Sequence, residues 1–189
     1  QPELVVSVTT ELLTGISDSG ASDDEGLRLL LTDVCATLGR SKNDAWTTAV
    51  FERAMTPGQW DDAAARRNGI AALTGFAQGL AATRKTLQAW MSEAAAQTEH
   101  SIARAQSLFA ATLDDALADD APLREREAAV AFLQYGNWNE VGPALLTLAT
   151  DDVPSGDIRS ALSSSRAFPE QETAEQLPEA FKTQLHALS

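Results

Sequence analysis

Apolar residues recur along this chain at intervals of three and four, the spacing that gathers them on one face of an α-helix. Leu4, Val5, Val8, Leu12 and Ile16 make the first such stripe, and Gly15 with Ser17-Asp18-Ser19-Gly20 marks its end. Ser22-Asp23-Asp24-Glu25 has the form of a capping box, in which the serine oxygen accepts a backbone N–H and the glutamate reaches back. It opens a stripe of Leu27, Leu30, Leu31, Val34 and Leu38 that Gly39 closes. A third helix, from about Asn43 to Met55, carries Trp46, Val50 and Ala54 on one side and stops at Thr56-Pro57-Gly58.

The next stripe begins near Trp60-Asp61-Asp62 and holds Ile70, Leu73, Phe76, Ala77 and Leu80, with Gly69, Gly75 and Gly79 among them. Each glycine costs a helix about 1 kcal/mol against alanine, so the cluster predicts that another helix backbone packs closely here. A short apolar piece, Leu87, Trp90 and Met91, leads into a long helix with Ile102, Ala105, Phe109, Leu113 and Ala116 inward. After Asp119-Asp120-Ala121-Pro122, where proline suits a first helical turn, the elements shorten. Ala129, Val130 and Leu133 run up to Gly136. Asn137 is placed to cap the next helix, with Glu140 three residues on, Pro143 in its first turn, and Val141, Leu145 and Leu148 inward. Asp151-Asp152-Val153-Pro154 breaks the chain. Ile158, Ala161 and Leu162 form a weaker stripe, and Leu177, Phe181, Leu185 and Leu188 a last one that Pro178 kinks.

Displacing the sequence by about 32 residues lays Ala129 on Ala161, Val130 on Leu162, Leu145 on Leu177 and Pro122 on Pro154, a faint internal repeat. No run alternates β-branched residues as a strand would. The expected fold is all-α, a right-handed α–α superhelix of antiparallel helix pairs in the manner of HEAT and armadillo solenoids. Residues 1–189 form a single repeat domain in this reading. A sub-boundary near 119–122 parts a region of longer helices, 1–120, from two short repeats, 121–189.

Composition narrows the partners. Of 189 residues 44% are hydrophobic, ample for a continuous core, and 27 acidic against 14 basic residues leave a formal charge of −13. That charge repels nucleic acid and anionic lipid, and no apolar run approaches the roughly 20 residues that span a bilayer. Cys35 is the only cysteine, which excludes an internal disulfide and a thiolate cluster for a metal. The start at Gln1-Pro2, without an initiator methionine or a signal segment, suggests a piece excised from something longer.

The stretch from Arg124 to Phe181, REREAAVAFLQYGNWNEVGPALLTLATDDVPSGDIRSALSSSRAFPEQETAEQLPEAF, resembles the HEAT-like repeats of the large membrane-bound-dehydrogenase-type, haem-binding multidomain proteins of planctomycetes and their relatives. In those repeats an arginine precedes a short alanine-rich helix, and a leucine-rich helix ends in a proline-containing linker. RRNGIAALTGFAQGL, Arg66 to Leu80, is similar to a segment that precedes the repeats in the same family. Together the two stretches cover about half the chain. The resemblance implies a middle portion of a protein with a sugar-dehydrogenase-type propeller on one side and a c-type haem domain on the other, and an extracytoplasmic or periplasmic location. One cysteine cannot make C-x-x-C-H, so none of the family's redox residues transfers to this chain.

Candidate chemistry is sparse. Glu99-His100 has only the distant His186 as a second imidazole and no H-E-x-x-H arrangement, which makes His100 a surface residue. The acidic doublets at Asp23, Asp61, Asp114, Asp119 and Asp151 lack the glycine and terminal glutamate of a calcium loop and suit helix caps. Cys35 lies in a leucine stripe as a small apolar residue, and Ser163-Ser164-Ser165 has no nucleophile-elbow setting. Core packing is the default reading of Trp46, Trp60, Trp90 and Trp138, and the candidates for an interaction surface are Trp138, which falls in a predicted turn between two helices, and Trp60. The expected function is a scaffold or spacer without catalytic, cofactor or metal sites, contacting protein or neighbouring domains. The alternatives are a free-standing cytoplasmic adaptor and a helical enzyme whose site residues follow no known pattern.

Overall fold

The computed structural model describes residues 11, 25–41, 43–55, 63–118 and 121–150, and among them every regular element is an α-helix. These are α1 (Glu25–Gly39), α2 (Asp44–Ala54), α3 (Ala63–Ala82), α4 (Leu87–Leu117), α5 (Leu123–Leu133) and α6 (Trp138–Thr150). The stripe from Leu4 to Ile16 apart from Glu11, the capping Ser22, Trp60, and everything from 151 onward lie outside the described residues. So does the second member of the repeat expected around Pro154. The chain divides into two compact units, 1–108 and 109–189, so the division falls inside α4, upstream of the expected 119–122. Phe109 packs with the second unit: its ring stacks on Phe132 of α5, centroids 4.5 Å apart and planes 10° from parallel.

In the first unit α3 is the main partner of α1. The contact is made by small residues. Gly75 lies against the carbonyl of Thr32, Gly79 against that of Ala36, and a Cβ built on Gly39 would stand 2.5 Å from Phe76 O and 3.1 Å from Gly79 Cα. The Thr32 hydroxyl, 2.9 Å from Arg28 O in its own helix, also reaches Ala71 O of α3 at 3.2 Å. The backbones therefore meet without intervening side chains, as the glycine cluster predicts. Because Thr32 meets Ala71 and Gly75 while Ala36 meets Gly79, α1 and α3 run in the same direction.

This approach revises the expected stripe on α1. Leu31, Cys35, Ala36, Leu38 and Gly39 are buried, whereas Leu30 is 45% and Leu29 63% exposed. Leu31 and Leu38 are buried beside the small residues that α3 covers, Leu30 lies on the far side of the helix, and Leu29, in line with Ala36 but two turns nearer the N-terminus, is left outside.

The remaining helices of this unit meet at an aromatic cluster. Phe51 of α2, Phe76 of α3 and Trp90 of α4 pack with centroids 4.8 to 5.6 Å apart, Trp90 edge-on to both phenylalanines. Short capped loops set the helices in place. Asn43 caps α2, its Oδ1 accepting from Trp46 N–H at 3.3 Å, and Thr86 Oγ1 accepts from Ala89 N–H at 3.2 Å to start α4. At the end of α3 the N–H of Lys85 donates to Leu80 O and that of Arg84 to Ala81 O, a Schellman pair that needs a left-handed residue. Arg84 fills that position with φ 62°, where glycine is usual. The expected short apolar piece and long helix both fall within α4, which is two helices parted by a kink at Thr98 (φ −132°, ψ 29°). The buried Thr98 hydroxyl donates to Ala94 O at 2.9 Å, the back-bond that bends helices.

In the second unit Ala129, Val130, Leu133, Val141 and Leu145 are buried, as their spacing predicts. Pro122 (φ −55°, ψ 137°) is the N-cap of α5 and not a residue of its first turn. Asn137 caps α6, with Oδ1 accepting from Asn139 N–H at 2.9 Å. Pro143 lies inside α6, beyond its first turn.

If the flush crossing sets the packing of the first unit, the same substitution will have opposite signs at two places. Gly75→Ala or Gly79→Ala, aimed at an immovable carbonyl, should lower stability in urea unfolding by about 2 kcal/mol or more despite the gain in helix propensity. Gly26→Ala, exposed in the first turn of α1, should be neutral or stabilising by up to about 1 kcal/mol. Arg84→Gly should raise stability by about 0.5–1 kcal/mol, since relief of the left-handed strain exceeds the added freedom of the unfolded chain.

Candidate functional site

The loops that come after α1 and α3 meet at one end of the first unit. Between them is a cleft of about 140 Å³ lined by Gly39, Ser41, Asp44, Thr47, Leu80, Thr83, Lys85 and Trp90. Its walls are the C-terminal ends of α1 and α3 and the first turns of α2 and α4. Gly39 and Leu80 are neighbours there because the glycine crossing carries both helices to a common end.

The polar groups of the cleft are largely engaged with the backbone. Thr47, only 2% exposed, donates through Oγ1 to Asn43 O at 2.9 Å, and Thr83 Oγ1 donates to Leu80 O at 2.7 Å. Ser41 Oγ accepts from Asn43 N–H at 3.2 Å. Lys85 forms an ion pair with Glu93, in the second turn of α4. Asp44 is exposed in the first turn of α2, where its charge suits the positive end of the helix. None of these residues was singled out from sequence as a site, since they come from loops some forty positions apart and share no motif.

Comparison of the chain with known proteins finds no matching family model, no matching curated protein and no matching solved structure.

The residues that sequence did nominate fall elsewhere. Trp138 is not in a turn but is the first residue of α6, and at 2% exposure it is core. Its indole folds back onto its own helix over Gly142, where an added Cβ would come within 2.7 Å of the ring. An interaction surface at Trp138 is therefore corrected to a packing role: the missing side chain at Gly142 makes room for the indole. Trp60 lies outside the described residues. Glu99 and His100 are both exposed on α4, and Asp114 and Asp115 are exposed further along it. Among the described residues no group of three or more His, Cys, Asp or Glu side chains is placed to hold a metal ion.

Cys35 is 1% exposed on α1. Burial disfavours the thiolate and pushes the thiol from 9.0 up to about 12, so it is protonated and enclosed at neutral pH. The raised value has a defined effect on stability. Below 9.0 the thiol is neutral in both folded and unfolded chains and its contribution is complete. Between 9.0 and about 12 the unfolded chain releases the proton first, and the contribution is lost as pH rises. The stability advantage of the native protein over Cys35→Ala, measured by urea unfolding, should therefore be constant up to pH 8 and shrink from pH 9 upward. An advantage that grew with alkaline pH would contradict this assignment.

Proposed function

We propose that this chain is a non-catalytic helical scaffold or spacer, an α–α solenoid of the HEAT and armadillo kind, that joins parts of a larger protein through the faces and ends of its helices. The observation that supports it is the parallel stacking of α1 on α3. In a solenoid each helical hairpin lays its first helix alongside the first helix of the next, in the same direction, and buries a face that neither could bury alone. The sequence around the two loops carries a matching echo. Arg40, Ala45 and Trp46 recur about 44 positions later as Arg84, Ala89 and Trp90, within the period of HEAT-like repeats. This puts the repeat unit of the proposal in α1 to α4, upstream of the one expected from Pro122 onward.

Partners in this reading are protein surfaces. Leu29 and Leu30 are exposed on α1, on either side of Asp33 on the helical wheel, and offer two separate apolar contacts. Among the described residues no helix is long and apolar enough to cross a membrane. Membership of the planctomycete dehydrogenase-type proteins, and with it an extracytoplasmic setting, is part of the same proposal. It rests on the likeness of Arg124–Phe181 and Arg66–Leu80 to that family's repeats.

The test is association with the segments that flank this chain in its parent reading frame, measured by calorimetric titration. The expected result is binding by the native chain that falls about tenfold or more in the Leu29→Asp/Leu30→Asp double variant, with helicity and melting temperature retained. Failure of both flanks to bind, or binding indifferent to the double variant, would overturn the proposal.

A further inference from the structure

We infer that the Asn68-Gly69 pair of α3 is a self-modification site, a succinimide-forming pair that the packing of α3 on α1 holds shut and that unfolding of the first unit opens. The inference goes beyond the scaffold reading and does not depend on it.

Two adjacent residues carry the chemistry. Asn68 is the one asparagine of the chain that glycine follows, since Asn43, Asn137 and Asn139 precede Asp44, Trp138 and Glu140. Having no Cβ, Gly69 leaves its amide nitrogen open to the neighbouring side chain and lets the backbone turn to meet it. In the reaction Gly69 N loses its proton and bonds to Asn68 Cγ, and the side-chain nitrogen leaves as ammonia. Solvent water then opens the five-membered imide. Attack of water at Cγ gives aspartate, and attack at the main-chain carbonyl of residue 68 gives an isoaspartyl linkage, so that one water is consumed for each ammonia released.

The fold blocks each requirement. Both residues are buried, Asn68 at 3% exposure. They lie in the second turn of α3, where the Gly69 N–H is directed along the helix at the carbonyl of Ala65. Ring closure needs Cβ, Cα, C and the Gly69 nitrogen nearly coplanar, whereas helical backbone holds ψ near about −42°, well out of that plane. The side-chain oxygen gives no protection of its own, because Asn68 Oδ1 accepts no hydrogen bond among the described residues. Protection therefore comes from the helix and from its cover. Asn68 stands three residues before Ala71 and seven before Gly75, on the face of α3 that meets α1.

Conversion is one-way for the same reason. An isoaspartyl linkage runs the main chain through Cβ and Cγ and adds one atom to it, so the i to i−4 bonds of α3 cannot continue through residue 68. Gly75 and Gly79 then lose the helix that aligns them with Thr32 and Ala36.

The test incubates the full chain at pH 8 in a series of urea concentrations and reads the position and rate of conversion by peptide mass mapping. The rate should be at least about tenfold lower without urea than in the unfolded chain and should rise with the unfolded fraction, because slow chemistry follows the population of the open form. Gly75→Ala should change the rate without urea in the ratio of its unfolded population to that of the native sequence. After dilution of the urea, the isoaspartyl fraction should stay unfolded by circular dichroism while unconverted chain regains its helices. A rate without urea equal to that in urea, faster conversion at another asparagine, a Gly75→Ala rate that ignores its unfolded population, or refolding of the isoaspartyl fraction would each overturn the assignment.

Discussion

Two helices touching backbone to backbone impose a constraint that side-chain packing does not. Where Gly75 and Gly79 of α3 meet Thr32 and Ala36 of α1, no rotamer change absorbs an added atom, because peptide carbonyls face the glycines. The helix is thereby weakened locally, by about 1 kcal/mol per glycine. In return α1 and α3 are held in one register and one direction. The shared Thr32 hydroxyl adds a directional bond across the same seam.

The rest of the first unit depends on that register. With α1 and α3 parallel and ending together at Gly39 and Leu80, the two connecting loops emerge at the same end. Helices α2 and α4 then start side by side, which brings Phe51 and Trp90 onto Phe76. The cleft is the space left where four helix ends converge around two short loops. Near those helix ends the Thr47 and Thr83 hydroxyls donate to the backbone carbonyls of Asn43 and Leu80.

The second unit solves its packing differently. Phe109 stacks on Phe132, and Trp138 is accommodated by leaving Gly142 without a side chain on its own helix. A tryptophan beside a turn suggests a displayed hot spot only until the residue four positions later is noticed to be glycine. An i, i+4 pair of this kind lies on one helix face, so the small residue marks where the large one rests. That signal is present in the sequence at Trp138 and Gly142.

Much of the helix content was determined by the sequence alone. The periodicity that located Leu31, Leu38, Val50, Leu73, Phe76, Ala105, Phe109, Val130 and Val141 as core needs only local geometry, because a helical face is defined within a few turns. The same holds for the Asn137 cap, the buried Cys35 and the close approach announced by Gly75 and Gly79. Tertiary structure decided which face of each helix meets which neighbour. It left Leu30 of the expected stripe outside and drew the division of the chain into α4. It also brought Ser41, Asp44, Thr47, Thr83, Lys85 and Trp90 around one cleft. Those outcomes depend on the direction and register of helices far apart in the chain, and the spacing of residues within a single helix carries no information about either.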